Sequence, residues 1–180
     1  TAGVCLTTAA KVEMSEDNGT WDTIVNGEPV EYNLPAEVVR QTLIASKLDP
    51  RKYRGTIEVR SNIPMGVGLK SSSSTSVAIS LAVVDALGKD DINVDMVLAC
   101  SARASLRSKV SITGALDDAA SCLLGGVNMA DNLRLKLIRS RPIRRKLKVL
   151  IRVPHQQSRR ESMDLVRVKK LRRVCDSLFS

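Results

Sequence analysis

The first part of the chain carries short apolar runs separated by turn dipeptides, a pattern that predicts strands. Three such segments, VCLTTAAKVEM, EDNGTWDTIV and EPVEYN, follow one another along the chain. Asn18-Gly19 and Asn26-Gly27 accompany them, and Asn-Gly is a strong signal for a hairpin turn. We therefore predict that the three strands form a β-meander.

The apolar spacing then changes from strand to helix and back. LPAEVVRQTLIASKL has apolar residues at helical spacing and predicts an amphipathic helix. GTIEVRSNIP alternates between apolar and polar residues and predicts a strand that Pro64 ends. From Ser73 to Leu87, apolar residues surround the predicted helix almost completely, so we expect it to be central and buried, with Gly88 as its C-cap.

The rest of the chain mixes both element types without a regular βαβ order. Asn93 is a candidate N-cap for the helix NVDMVLACSARASLRSK, and a short helix is predicted within TGALDDAASCLLGG. Three strands and a closing basic helix are predicted after it, in VNMADN, RLKLIRS, KLKVLIRVP and SRRESMDLVRVKKLRRVCDSLF. Because the early strands come as hairpins, we predict the α+β class rather than a doubly wound sheet.

Composition and charge narrow the function classes. The chain has 180 residues, 43% of them hydrophobic and 26% charged, as in a globular protein. The formal net charge of +9 is unevenly distributed: residues 1–133 carry 12 basic and 16 acidic side chains, and residues 134–173 carry 16 basic and two acidic ones. This shift suggests a module boundary near residues 131–146. Only Trp21, Tyr32, Tyr53 and Phe179 are aromatic, so stacking platforms for single-stranded nucleic acid are nearly excluded.

The cysteines and the apolar runs indicate the compartment. The four cysteines form no CxxC pair, and the sequence shows no secretory signal and no apolar run long enough to span a bilayer. A cytoplasmic protein is the simplest interpretation. The lone His155 is expected to be a loop residue without a catalytic role.

A glycine- and serine-rich loop between the predicted strand and the buried helix is the first candidate site. Glycines allow close approach of the backbone to a ligand, and a helix N-terminus presents free N–H groups to an anion. Lys70 and the serine hydroxyls add donors, so the loop suits a phosphate group. Its spacing matches neither the Walker A loop nor GxGxxG. The alternative is a serine-rich N-cap that only starts a core helix.

Two adjacent aspartates are the second candidate site. Asp117 and Asp118 follow Thr113-Gly114 at the start of a helix of small residues. A carboxylate beside a transferable phosphoryl group can orient a hydroxyl and accept its proton. The alternative is that both acids only stabilise the helix N-terminus.

The order of residues in the loop resembles a known superfamily. Pro64-x-x-x-Gly68-Leu69-x-Ser71-Ser72-Ser73 is similar to the Pro-x-x-x-Gly-Leu-x-Ser-Ser-(Ala/Ser) loop of the GHMP kinases. In that family the loop wraps the phosphates of ATP. The resemblance implies that ATP is bound by the loop residues Pro64, Gly66, Gly68, Leu69, Lys70, Ser71, Ser72, Ser73 and Ser74.

The aspartate segment strengthens the resemblance. Gly114-Ala115-Leu116-Asp117 resembles the superfamily's Gly-small-x-Asp pattern, which gives Asp117 the role of catalytic base. The run from Thr113 to Ser121, with the serines of Ser71–Ser76 and the following Gly125-Gly126, is most similar to the archaeal-type shikimate kinases. This similarity implies ATP-dependent phosphorylation of the shikimate 3-hydroxyl in aromatic amino-acid biosynthesis. Homoserine and mevalonate kinases are the alternatives, because the motifs specify phosphate and base rather than the acceptor.

The same resemblance sets expectations for domains and metal. It implies an N-terminal domain of the ribosomal protein S5 domain 2-like type over residues 1–140 and the beginning of a second α+β domain over residues 141–180. The family's first and third motifs are expected before Thr1 and beyond Ser180, so the chain is expected to be truncated at both ends. The helix MVLACSARASLRSK lacks the acid that many members use for Mg²⁺. The ion would then rely on ATP phosphates, Ser72 and Asp118.

The basic segment RLKLIRSRPIRRKLKVLIR leaves a different function class open, that of a nucleic-acid-binding domain. Its alternating apolar residues favour strands with basic outer faces instead. We therefore expect ATP and a small molecule as partners, and neither nucleic acid nor a membrane.

Overall fold

The fold was analysed in a computed structural model that describes residues 3–144 and 148–153. It contains a four-stranded sheet, four α-helices, a short 3₁₀ helix at Pro50–Lys52 and a two-stranded sheet. In chain order the elements are β1 (Thr8–Glu16), β2 (Trp21–Val25), β3 (Glu28–Pro29), α1 (Leu34–Ala45), β4 (Tyr53–Ser61), α2 (Ser71–Ala86), α3 (Val94–Arg107), α4 (Leu116–Leu124), β5 (Val127–Asp131) and β6 (Lys136–Arg141).

The larger sheet has the strand order β1-β4-β2-β3, so the predicted meander is wrong. Strand β4 lies between β1 and β2, antiparallel to β1 and parallel to β2. Asn18-Gly19 therefore connects strands that do not pair with each other. Asn26-Gly27 does form the predicted hairpin turn between β2 and β3, with φ of 52° and 87°. The central place of β4 has a physical reason, since its Ile57 and Val59 are fully buried.

Helices cover one face of this sheet. On β4, Tyr53, Ile57 and Val59 point into the main core, whereas Arg54 and Arg60 are exposed. The helices α1, α2 and α3 complete the core with side chains such as Leu34, Leu43, Ile79 and Ala104. This arrangement is the predicted α+β architecture.

The helix α2 is the central element, as its apolar composition predicted. One of its sides packs on the sheet and on α1, and Val77 on another side packs with Leu98 of α3 and with Leu116 and Ala120 of α4. The C-terminus of α2 has the predicted glycine stop. Gly88 follows it with a φ of 64°, and the Gly88 N–H donates to the Asp85 carbonyl.

The second half of the described chain follows the prediction up to residue 141. The side chain of Asn93 accepts a hydrogen bond from the Met96 N–H and caps α3 as expected. The strands β5 and β6 form an antiparallel hairpin. Residues 148–153 form no strand, so the strand predicted in KLKVLIRVP is not present there. The rest of that segment and the predicted basic helix lie outside the described residues.

No helix among the described residues is both long enough and apolar enough to cross a membrane. The boundary at residues 140 and 141 stays a prediction.

Candidate active site

The glycine- and serine-rich loop leaves β4 and returns the chain to the N-terminus of α2. Gly66, Gly68 and Lys70 all have left-handed backbones, with φ of 74°, 82° and 61°. A Cβ atom at Gly68 would meet no neighbouring atom within 4 Å, so glycine is required there by backbone conformation rather than by space. Gly66 and Gly68 are exposed, whereas Pro64 and Leu69 are half-buried.

The N-terminus of α2 is not capped by a serine. The N-cap residue is Lys70, which makes no side-chain capping hydrogen bond. Its carbonyl accepts hydrogen bonds from the N–H groups of Ser73 and Ser74. The serines lie inside the first turn, and the helix begins at Ser71, two residues before the predicted start. No serine is therefore the N-cap residue of α2, contrary to that part of the alternative interpretation.

This N-terminus offers donors to an anion. The first N–H groups of an α-helix have no acceptor within the helix, and the helix dipole places partial positive charge there. Ser71 and Ser72 are half-buried at the loop, whereas Ser73 and Ser74 are buried. A helix N-terminus of this kind can donate to an anion such as phosphate.

An ion pair joins the loop to the start of α4. The Lys70 Nζ lies 2.9 Å from Asp118 Oδ2. The Asp118 side chain is 4% exposed and that of Lys70 is 42% exposed, so a buried carboxylate holds a partly solvated ammonium. The pair brings together two of the residues that the sequence indicated from segments far apart in the chain.

Asp117 is held by a residue that the sequence analysis did not single out. The Asn132 Nδ2 donates to Asp117 Oδ1 at 2.9 Å. The Asn132 Oδ1 accepts from the N–H groups of Leu116 and Asp117, at 2.9 and 3.4 Å. Asp117 is half-buried, and Asn132 lies in the turn between β5 and β6. Asp-Asn after a strand is a turn signal, but it does not indicate a contact with a helix 15 residues earlier.

The segment before α4 is shaped by close packing. Gly114 has φ of 81°, and a Cβ atom there would come within 3.2 Å of the Ala102 side chain and carbonyl oxygen on α3. Ala115 follows with a left-handed backbone as the N-cap residue of α4. After this sharp turn the first turn of α4 places Asp118 against Lys70 of the loop.

A cavity of about 490 Å³ lies beside the ion pair. Its walls come from the chain segment before β1, from the loop and α2, and from α4. Lys70, Ser74 and Asp118 line the cavity together with Cys5 and Cys122, whereas Asp117 does not line it. The segment before β1 is held in place because the Gly3 N–H donates to the Gly126 carbonyl. Sequence reasoning assigned this segment to a strand and missed its place in the cavity wall.

The Cys122 thiol is affected by this environment. Burial against the surrounding protein raises the pKa of the thiol, the negative charge of Asp118 raises it further, and a hydrogen bond with Ser74 lowers it. The thiol is therefore mostly protonated near neutral pH.

The residues around the Lys70–Asp118 ion pair suit ATP better than they suit a metal ion that is held by protein ligands alone. Among the described residues no group of three or more His, Cys, Asp or Glu side chains could hold a metal ion. The Asp118 Oδ2 is bonded to Lys70, so Asp118 would bind a metal only by sharing or exchanging that partner. An ion there would draw most of its ligands from phosphate oxygens, as the sequence analysis expected.

The guanidinium of Arg107 does not line the cavity. Its Nε is 3.7 Å from Glu37 of α1. The arginine therefore ties α3 to α1.

Comparison with known proteins relates this arrangement to one family. Residues 33–126 match the model of the GHMP kinases N terminal domain, a range that includes both the loop and the aspartates. The chain is 35% identical to a shikimate kinase of Methanothrix thermoacetophila over 98% of its length, and 32% identical to a shikimate kinase of Pyrococcus furiosus, again over 98%. It spans 58% and 63% of the lengths of these two relatives.

Solved structures with a similar fold are mevalonate kinases. The Methanococcus jannaschii enzyme matches 77% of the chain with a TM-score of 0.55 and 16% identity, and the chain covers 46% of it. The L. major enzyme in complex with R-mevalonate matches 71% of the chain with a TM-score of 0.52 and 15% identity, and 40% of it is covered. At these identities the likeness concerns the fold.

Proposed function

The chain belongs to the GHMP kinase family, and from that premise we propose that the protein transfers the γ-phosphoryl group of ATP to the 3-hydroxyl of shikimate. The products would be shikimate 3-phosphate and ADP, in the cytoplasm. The observation that carries the proposal is the identity to shikimate kinases along nearly the whole chain, including both motifs. The chain spans about three fifths of those relatives, so the activity is proposed for the whole protein. The division into domains at residues 140 and 141 is part of the same proposal.

The loop would bind the phosphates of ATP. The left-handed residues at 66, 68 and 70 turn the chain over the N-terminus of α2, where N–H groups and the hydroxyls of Ser71 and Ser72 can donate to phosphate oxygens. The Lys70 ammonium group would interact with phosphate oxygens as well as with the Asp118 carboxylate. Mg²⁺ bound to the phosphates, with Ser72 and Asp118 within its reach, would neutralise part of their charge.

Asp117 would act as the base. Its carboxylate would orient the shikimate hydroxyl and accept its proton as the oxygen attacks the γ-phosphorus and the bond to the β-phosphate oxygen breaks. The proton stays on Asp117 until it passes to solvent. The rate would come mainly from holding the acceptor oxygen, the γ-phosphorus and the leaving oxygen in line.

The cavity beside Lys70 and Asp118 would hold a small molecule next to the aspartate pair, although Asp117 itself does not line it. Its volume of about 490 Å³ falls within the range of small-molecule sites. One residue of the aspartate pair, Asp118, lines the cavity together with Lys70 and Ser74 of the loop and the start of α2. This placement supports a small polar acceptor rather than a macromolecule.

ADP release measured with three acceptors tests the proposal. The protein expressed from its complete coding sequence should turn over ATP with shikimate and not with homoserine or mevalonate. Phosphorus NMR of the product should show a single ester at the 3-position. Turnover with homoserine or mevalonate alone would assign another GHMP kinase activity, and no turnover with any acceptor would refute the proposal. Another small-molecule activity of the family is the second candidate, because the loop and aspartates identify the phosphate and the base but not the acceptor.

A further inference from the structure

Asn132 occupies a position that a turn residue rarely has, with its whole amide group directed at the first turn of a helix. Its oxygen accepts from two N–H groups of that turn, and its nitrogen donates to the Asp117 carboxylate. Only one orientation of the amide satisfies all three contacts, because N–H groups need an acceptor and a carboxylate needs a donor. No other natural side chain of this length supplies both functions.

The turn that carries Asn132 is itself held in shape. The Asp131 Oδ1 accepts from the N–H groups of Leu133 and Arg134, each at 3.0 Å. Leu135 then adopts a left-handed backbone with φ of 49° before β6 begins. Both neighbouring strands contact α4. The backbone of Asn132 is thus fixed from both sides, and its amide is presented to α4 in one place.

We propose that Asn132 is the positioning residue of this site, setting the direction of the Asp117 carboxylate by bridging it to the N-terminus of α4. The inference rests on the proposed function, in which Asp117 is the base. The contact of Asn132 with Oδ1 fixes the rotation of the Asp117 carboxylate relative to the first turn of α4. Asn132 also satisfies two N–H groups that the left-handed Ala115, which has no side-chain cap, leaves without a partner.

The two contributions of Asn132 can be separated by substitution. Asn132→Asp keeps an oxygen acceptor for the N–H groups but replaces the donor with a second carboxylate facing Asp117. Asn132→Ala removes the acceptor and the donor together. If Asn132 only caps α4, Asn132→Asp keeps that role, because an acceptor oxygen remains. If Asn132 positions the Asp117 carboxylate, Asn132→Asp loses that role, because the donor is gone.

Asn93 provides a matched control. It caps α3 through its Oδ1 at 2.9 Å from the Met96 nitrogen, and it is exposed at a site that does not line the cavity. Asn93→Asp and Asn93→Ala make the same chemical changes at a helix that carries no proposed catalytic group.

The kinetic test uses the protein from its complete coding sequence with ATP and shikimate. Asn132→Asp should lower kcat by about 10- to 100-fold, the size of effect expected when a reacting group is misdirected, with little change in the KM for ATP. It should also shift the acidic limb of the kcat profile to higher pH, because two adjacent carboxylates resist joint ionisation. Asn93→Asp should change neither.

A second measurement does not depend on turnover. In protein labelled with ¹³C at aspartate carboxyls, the Asp117 carboxyl should titrate at higher pH in Asn132→Asp than in the wild type. Asn132→Asp adds one carboxylate and leaves the ion pairs Lys70–Asp118 and Asp131–Arg134 of the described residues in place. An unchanged Asp117 titration together with an unchanged kcat would overturn the proposal. The wild-type protein could instead turn over ATP with none of the acceptors while the Asp117 titration still shifts in Asn132→Asp. That result would refute the proposed function and leave the bridging role of Asn132 supported.

Discussion

The ion pair between Lys70 and Asp118 gives the most direct prediction about stability. Replacing Lys70 by Met keeps the aliphatic stem and removes the charge. The carboxylate of Asp118, 4% exposed, then loses the cation that lies 2.9 Å away. Deleting one partner of a buried pair costs about 3–5 kcal/mol, because the other charge stays buried and uncompensated. Since the Lys70 side chain is 42% exposed and water screens it, we reduce this to about 1–2 kcal/mol.

Thermal unfolding followed by circular dichroism measures the effect. A loss of 1–2 kcal/mol corresponds to a Tm lower by about 2–8 °C, at roughly 2–4 °C per kcal/mol for a protein of this size. The control is Lys47→Met, since Lys47 has the same left-handed backbone, with φ of 65°, but is exposed and forms no salt bridge with the described residues. Its Tm should stay at the wild-type value.

A double-mutant cycle isolates the pair itself. In an Asp118→Asn background, Lys70→Met should cost less than about 0.5 kcal/mol, because no buried charge is then left unpaired. If Lys70→Met unfolds at the wild-type Tm, the buried carboxylate does not depend on Lys70. If it loses the same stability in both backgrounds, the loss comes from packing or backbone conformation, and the electrostatic reasoning is refuted.

Two further predictions concern the loop and the cavity. Gly68→Ala should cost about 1–2 kcal/mol through its left-handed backbone, as should Gly27→Ala in the β2–β3 hairpin, where φ is 87° and space is equally open. Calorimetry should show ATP binding weakened about tenfold, equivalent to roughly 1.4 kcal/mol, in the first variant alone; equal ATP affinity in both would count against the loop. The raised pKa of Cys122 predicts slower alkylation by iodoacetamide at pH 7 than for free cysteine, accelerating with pH. Peptide mass spectrometry measures this rate, and a rate above that of free cysteine would contradict the prediction.

Local sequence signals predicted the helices and most strands well. Each of α1 to α4 appears where apolar spacing and capping residues placed it, and Asn93 and Asn26-Gly27 act as their types suggest. Strand pairing was less accessible, because a turn dipeptide such as Asn18-Gly19 reports only on the local bend of the chain. The insertion of β4 between β1 and β2 depends on contacts between segments far apart in the chain, and no local pattern encodes it.

The candidate site divides in the same way. The loop and the two aspartates were evident from their residue types and order. Their geometry was not, because the Lys70–Asp118 pair joins residues 48 positions apart and Asn132 reaches back 15 positions to Asp117. The sequence also could not distinguish the two aspartates by environment. In the fold, Asp118 is buried against Lys70, while Asp117 is half-buried and held by Asn132.

Phosphoryl transfer to shikimate by an Asp117→Asn variant tests the central claim most directly. The substitution keeps the size of the side chain and removes the base. The single-turnover rate of phosphoryl transfer, measured as the formation of shikimate 3-phosphate, should fall by roughly 10²–10⁴-fold. The Kd for ATP should stay at the wild-type value. An Asp117→Asn protein that phosphorylates shikimate at the wild-type rate would contradict the assignment of Asp117 as the base.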